Sequence, residues 1–403
     1  MDDYPVIIFT ALLILLFGAF SKAAEKSIVT APMVFVTVGI IISFFVGDAW
    51  REGINARWVE PIAQITLILV LFIDASTLNL KALLKDKGLP MRLLFIGLPL
   101  TMLLGVLIAI PLFPGVDIWL LALMALILSP TDAALGLAVI TSELVPLKIR
   151  QTINVESGLN DGIALPPILV CLAILSGKSS GDAGFAYLSL FTLKQFVYGP
   201  IIGGLVGWIG GYLVDTASKR EWMNHTFQRL ASIAIAILAF SLAEIVHGNG
   251  FIAAFFAGML LGTTTEEVRD RIHEFGEAES QALILFIFLL LGMILVPVSF
   301  QYWDVYAFGY AILSLTVIRL IPVAISLLGT KLSWGTIAFI GWFGPRGIAS
   351  VLYLNMALIA LGTHGQEQIV AVITLTVLLS IFLHGITAIP FSKYFQKNEG
   401  LKS

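Results

Sequence analysis

Residues 121–140 read LALMALILSPTDAALGLAVI, and the fold turns on Ser129-Pro130-Thr131-Asp132, a polar break in the middle of an otherwise apolar run. Proline removes a backbone donor and clashes with the preceding turn, while serine and threonine offer hydroxyls to the freed groups, so a helix through this run is expected to break. A second stretch, IAFIGWFGPRGIASVLYLNMAL at 337–358, is interrupted in the same way by Gly344-Pro345-Arg346-Gly347. Broken helices carry half-helix ends into the middle of a membrane, with partial positive charge at N-termini and partial negative charge at C-termini. Asp132 and Arg346 are placed to neutralise those two kinds of end. Two interrupted spans, one in each half of a chain, point to a binding site between inverted repeats.

Composition places these breaks in lipid. The 403 residues are 58% hydrophobic and 12% charged, whereas soluble domains carry about a quarter charged residues; the mean hydropathy is +0.97. A net charge of −3 gives no case for nucleic acid, and the single cysteine, Cys171, excludes an internal disulfide or a multi-cysteine metal cluster. The start Met1-Asp2-Asp3 lacks the basic region of a secretory signal, so the first apolar run reads as a span. Apolar runs bounded by Gly, Pro and charge give spans at about 5–22, 29–47, 59–78, 91–113, 117–140, 152–176, 187–214, 227–247, 250–262, 277–296, 303–328, 333–361 and 366–391.

Lysine and arginine collect in short cytoplasmic loops. With the N-terminus outside, the inner loops hold 17 basic residues and the outer loops only Arg51, Arg57 and Lys178. Thirteen spans, N-terminus out and C-terminus in, follow. Aligning Pro130 with Pro345 pairs span 6 with span 13 and span 4 with span 11. The expected organisation of the single transmembrane domain is a first inverted repeat over 1–176, a linker helix at 187–214 and a second repeat over 227–391.

An ionisable side chain at bilayer depth costs several kcal/mol unless paired or hydrated, so each is a functional candidate. They are Asp74 in span 3, Asp132 in span 5, Glu156 and Asp161 in span 6, Arg319 in span 11 and Arg346 in span 12. Span 6 opens QTINVESGLNDGIALPPILV at 151–170. Positions four apart share a helix face, so Ser157 stacks on Asp161, and Glu156 stacks on Asn160 about 100° around the axis. Ser157, Asp161 and an oxygen of Thr131 or Asp132 would make an all-oxygen site for a hard monovalent cation. Glu156 needs a positive partner, and Arg319 is the available buried one. Asp74, near the cytoplasmic end of span 3, could feed the site or face the interface. His225, His247, His273, His364 and His384 show no metal-ligand spacing and are read as interfacial. Glu274, Glu277 and Glu279 read as a solvated loop end.

The run SPTDAALG at 129–136 followed by NVESGLNDG at 154–162, with the later VIRLIP at 317–322 and GPRG at 344–347, resembles the monovalent cation:proton antiporter family 1. That is the branch of NhaP exchangers and animal sodium/proton exchangers, and the resemblance covers essentially the whole chain. It implies Asp161 as the ion- and proton-binding carboxylate, with Asn160 stabilising the site beside it. Thr131, Asp132 and Ser157 would line the sodium site, Glu156 and Arg319 would form a bracing ion pair, and Arg346 would sit in the broken span 12. It further implies a homodimer of 13-helix protomers and electroneutral exchange, since an Asn-Asp pair stands where electrogenic relatives have Asp-Asp. The tail after span 13 is short, so the large cytoplasmic domain of the animal exchangers is not expected.

The expectation is therefore an all-α polytopic protein of the cell membrane, with an NhaA-like inverted-repeat fold and helices 5 and 12 broken. It would exchange one Na⁺ for one H⁺ without a cofactor. A K⁺/H⁺ or broad Na⁺/Li⁺/K⁺ antiporter on the same scaffold is the alternative. Sodium-coupled solute symport would need an organic-substrate pocket that the sequence does not offer, and a channel would need a continuous polar pore. No nucleophile-base pair or metal cluster suggests an enzyme.

Overall fold

In an apolar medium every backbone N–H and C=O has to be satisfied within the chain, and apolar runs of this length do so as helices. The computed structural model describes residues 4–24, 27–45, 60–76, 88–132, 135–177, 184–261, 279–362 and 365–398. Its helices are α1 Tyr4–Ala24, α2 Ala31–Ser43, α3 Glu60–Ser76, α4 Gly88–Leu112, α5 Ile118–Ile127, α6 Leu137–Ile140, α7 Leu147–Leu175, α8 Gly184–Lys219, α9 His225–Ile245 and α10 Gly250–Leu261. They continue as α11 Glu279–Tyr302, α12 Val305–Leu315, α13 Val317–Ser326, α14 Trp334–Trp342, α15 Ile348–Leu361 and α16 Glu367–Asn398. No strand occurs among the described residues. Seven helical stretches in them are long and apolar enough to cross a membrane. Many of the basic residues that set the expected topology, among them Lys26, Arg51, Arg57, Lys81, Lys85, Lys87, Lys178, Arg269 and Arg271, lie outside the described residues, as do His273, Glu274, Glu277 and His364.

Helix starts are capped where the sequence turns polar. The side chains of Asp117, Asn224, Asp304 and Ser333 accept the backbone N–H of Trp119, Phe227, Ala307 and Thr336. Within the helices, hydroxyls return to the carbonyl four residues back, as in Thr66 to Ile62 and Thr101 to Gly97, which satisfies these buried hydroxyls.

The chain divides into two compact units. The first comprises residues 1–61, 89–157 and 284–403. In it α2 packs on α11 with backbones touching: a Cβ on Gly39 would land on the Leu289 carbonyl and one on Gly292 on the Val36 carbonyl. Both α4 and α11 contain a π-helical turn, at Leu93–Gly97 and Leu291–Leu295. Each turn ends two residues before a proline, Pro99 and Pro297. A proline ring clashes with the carbonyl four residues back, and the wider turn relieves that clash. The span from Val305 to Ser326 is bent at Thr316, whose φ of −118° and ψ of −91° are not helical.

The second unit comprises residues 62–88 and 158–283. Here α8, α9, α10 and the described part of α3 pack through small residues. A Cβ on Gly203 or Gly207 of α8 would fall on the carbonyl oxygen of Ala253 or Ala257 in α10, and one on Gly258 on the Phe72 carbonyl of α3. That close approach is the usual way apolar helices gain contact in lipid. The tight α9–α10 turn places His247 at a φ of 58°. Glu244 Oε1 and Asn249 Oδ1 accept the first N–H groups of α10, from Gly250 and Ile252.

Candidate functional site

In the first unit helical hydrogen bonding stops at Ile127 and again at Trp342, and the backbone is non-helical over 343–347. The two interruptions meet. The Asp132 N–H donates to the Pro345 carbonyl at 2.9 Å, joining segments more than 200 residues apart. Each charged residue serves the other segment. Asp132 Oδ2 accepts the Ile348 N–H at 2.6 Å, capping α15, while its Oδ1 lies 3.4 Å from the Leu135 N–H just ahead of α6. One carboxylate thus faces the N-terminal, partially positive end of α15 and the turn that leads into α6. Arg346 Nη1 donates to the carbonyls of Ser129 at 2.9 Å and Pro130 at 3.3 Å, beyond the C-terminal end of α5. Ser350 Oγ adds a bond to the Ile127 carbonyl at 2.8 Å. Gly347 is required by this crossing, because a Cβ there would overlap the Asp132 carboxylate.

Helix α7 runs beside the crossing and shows two faces. Glu156 and Arg319 form a bidentate ion pair, with Nη1–Oε1 at 2.6 Å and Nη2–Oε2 at 2.7 Å. Both residues are 1% exposed. The guanidinium also lies against Gly344, where a Cβ would sit 2.5 Å from Nε. On the adjacent face Ser157 Oγ is 2.9 Å from Thr131 Oγ1, so the hydroxyls of α7 and of the broken segment touch. Asn160 and Asp161, both buried, come one turn later on the same continuous helix, in the stretch belonging to the second unit. At 3.6 residues per turn Asp161 continues the row of Ser157, and Asn160 that of Glu156. Asp74 is half-buried near the C-terminal end of α3, also in the second unit.

His384 corrects the interfacial reading of the histidines. It is 2% exposed, with Nε2 2.9 Å from the carbonyl of Trp342, the last residue of α14. Ser380, one turn earlier, accepts the Arg346 N–H at 2.7 Å. Neither residue stood out in the sequence; the available signal was a Ser-His pair four apart inside an apolar run. His225 and His247 are exposed.

The oxygens gathered here, two hydroxyls and a carboxylate, are hard donors of the kind that suits monovalent or oxygen-seeking cations. Two acids and two bases of the first unit, Asp132, Glu156, Arg319 and Arg346, balance in charge.

Known antiporters resemble the chain over most of its length. The chain is 26% identical over 391 residues to the K(+)/H(+) antiporter NhaP of Alkalimonas amylolytica, an alignment covering 92% of this chain and 64% of that protein. It is 27% identical over 313 residues to the Na(+)/H(+) antiporter NhaP of Pseudomonas aeruginosa, covering 72% and 70%. The chain thus spans somewhat less than two thirds of the length of the Alkalimonas relative. The structure of the sodium proton antiporter MjNhaP1 from Methanocaldococcus jannaschii shares the fold, with a TM-score of 0.82 at 19% identity over 99% of both chains. The family profile described as sodium/hydrogen exchanger, transmembrane, matches residues 8–394. A match of that extent leaves little of the chain outside the family, and the chain belongs to the transmembrane sodium/hydrogen exchangers.

Proposed function

We propose that this chain exchanges one sodium ion for one proton by alternating access, with Asp161 as the carboxylate that holds either of them. The observation that carries the reading is the 2.9 Å contact between the Thr131 and Ser157 hydroxyls, on the row of α7 that Asp161 extends. Thr131, Ser157, Asp132 and Asp161 supply the oxygens for Na⁺, and Asn160 braces the site. Glu156 and Arg319 hold α7 to α13 as a structural pair, Arg346 compensates the helix ends at the crossing, and Asp74 lies on the ion pathway. The carboxylate has to be protonated or cation-bound before it reorients, so the two compensated forms cross the membrane and the empty anion does not.

The same reading takes the chain as a homodimer in the cell membrane, N-terminus outside and C-terminus cytoplasmic. It has 13 spans with the fifth and twelfth broken, and inverted repeats over 1–176 and 227–391 around a linker at 187–214. The meeting of the two interruptions supports it, since breaks related by an inverted repeat face each other in this way. Reconstituted into vesicles, the protein is expected to move protons when a sodium gradient is imposed. A sodium gradient that moves no protons at any pH would sink the proposal.

Potassium is the second candidate for the cation, favoured by the Alkalimonas relative described as a K(+)/H(+) antiporter. Oxygen ligands alone do not fix the cavity size that separates the two ions. Replacing Na⁺ by Li⁺ and K⁺ in the same vesicles distinguishes them.

A further inference from the structure

Two polar residues of α16, neither of them part of the cation site, grip both sides of the interruption between α14 and α15. His384 Nε2 is 2.9 Å from the Trp342 carbonyl, at the C-terminal end of α14, a carbonyl that also accepts the Gly344 N–H at 2.9 Å. On the other side the Arg346 N–H, in the non-helical stretch, donates to Ser380 Oγ at 2.7 Å. Ser380 and His384 are joined to each other, with Oγ 3.1 Å from Nδ1. Nδ1 also lies 2.9 Å from the Ser380 carbonyl, four residues back along the helix. The Trp342 indole lies against the imidazole, centroids 5.1 Å apart, and its Nε1 donates to Thr387 Oγ1 of α16 at 3.0 Å.

A backbone N–H only donates and a carbonyl only accepts. Ser380 Oγ therefore accepts from Arg346, and a proton on Nε2 points at the Trp342 carbonyl. Nδ1 stands between the Ser380 hydroxyl, which can donate to it, and the Ser380 carbonyl, which can only accept from it. The Arg346 peptide held in this way is the one whose side chain reaches the Ser129 and Pro130 carbonyls and whose preceding carbonyl, from Pro345, receives the Asp132 N–H.

We infer that His384 and Ser380 are positioning residues for exchange: they fix the α14–α15 interruption and, through the Arg346 peptide, the placement of Asp132. The inference rests on the proposed cation exchange, and its test separates the two. Sodium-driven exchange by the full chain in vesicles is measured against sodium concentration for the wild type, H384A, S380A and H384Q. The ring nitrogens of His384 are read by NMR in ¹⁵N-histidine-labelled protein. H384A and S380A are expected to raise the half-saturating sodium concentration about tenfold, the scale of one lost buried hydrogen bond. H384Q, whose amide N–H can reach the Trp342 carbonyl, is expected to recover most of that loss. A fall in maximal rate alone, with half-saturation unchanged in H384A, would overturn the inference by reducing His384 to a fold residue. The spectrum of the wild type is expected to show a protonated Nε2, with the Nδ1 signal shifted in S380A. A bare Nε2 would overturn the arrangement whether or not the variants fold. Wild-type vesicles that exchange no cation would refute the transport function instead, with the NMR result still deciding the hydrogen-bond chain.

Discussion

Asp161 and Asn160 are adjacent, differ by one atom type at the end of the side chain, and have opposite consequences: the acid can trade a proton for a cation and the amide cannot. D161N is expected to abolish sodium-driven proton movement while the purified protein keeps its thermal unfolding midpoint within a few degrees. Wild-type exchange in that variant would remove Asp161 from the site. Asp132 is expected to be nearly as sensitive for a different reason. Both its oxygens accept backbone N–H groups, and an amide in its place would turn an NH₂ toward one of them. Glu156 and Arg319 make a bidentate pair away from solvent, so E156Q or R319Q alone strands a buried charge and is expected to cost about 3–5 kcal/mol. Replacing both should cost less than the sum, and a double-mutant cycle on thermal unfolding that came out additive would remove the pairing energy. These residues were legible in the sequence because charge in an apolar run is rare. His384 was not, since its role depends on a carbonyl 42 residues away along the chain, and nothing local to it announces a helix end.

At the scale of elements, proline and glycine announced both interruptions, and most helix ends came close to the hydropathic boundaries, although α11 and α16 run on to Tyr302 and Asn398, past the expected ends at 296 and 391. What the sequence could not assign was the exchange of partners at the crossing. Asp132 and Arg346 were recognisable as compensating charges, but that Asp132 caps α15 and Arg346 reaches the carbonyls beyond α5 depends on how the two segments meet in space. The bend at Thr316 was equally silent, for no proline or glycine marks it; its hydroxyl returns to the Ile312 carbonyl at 2.6 Å. The π-helical turns were foreshadowed only by Pro99 and Pro297. Small residues carry the packing of α8 on α10, where the Ala253 and Ala257 carbonyls leave no room for a Cβ at Gly203 and Gly207. G203V is expected to lower stability by about 1–3 kcal/mol or more, because two backbones have to separate to admit it. The check is thermal unfolding in detergent, and an unchanged midpoint would show that this contact contributes little.

For the whole molecule the decisive quantity is how many protons each cation displaces, and buried charge argues for one. Within the first unit Asp132 and Glu156 are matched in number by Arg319 and Arg346, so the crossing and its brace contribute no net charge. Glu156 presents both oxygens to a guanidinium, and Asp132 presents both to backbone N–H groups. Protonating either carboxylate would require displacing a donor already in place. Asn160 has no proton to release. Of the carboxyl groups proposed for the site, Asp161 is then the one expected to alternate, and one sodium should replace one proton with no charge moved. The measurement is sodium-driven exchange in vesicles whose membrane potential is clamped with valinomycin and potassium, after potassium has been shown not to be carried, or with a proton-impermeant lipophilic ion if it is. The rate is expected to be the same at zero potential and at a potential of either sign. Moving one elementary charge through 100 mV changes the energy by about 2.3 kcal/mol, so uncompensated transfer would alter the rate or the final gradient well beyond error. A clear dependence on potential would mean that a second carboxylate titrates during the cycle. Glu156 would be the first to examine, since only the Arg319 pair removes it from exchange, and R319Q would then be expected to change the charge carried per turnover.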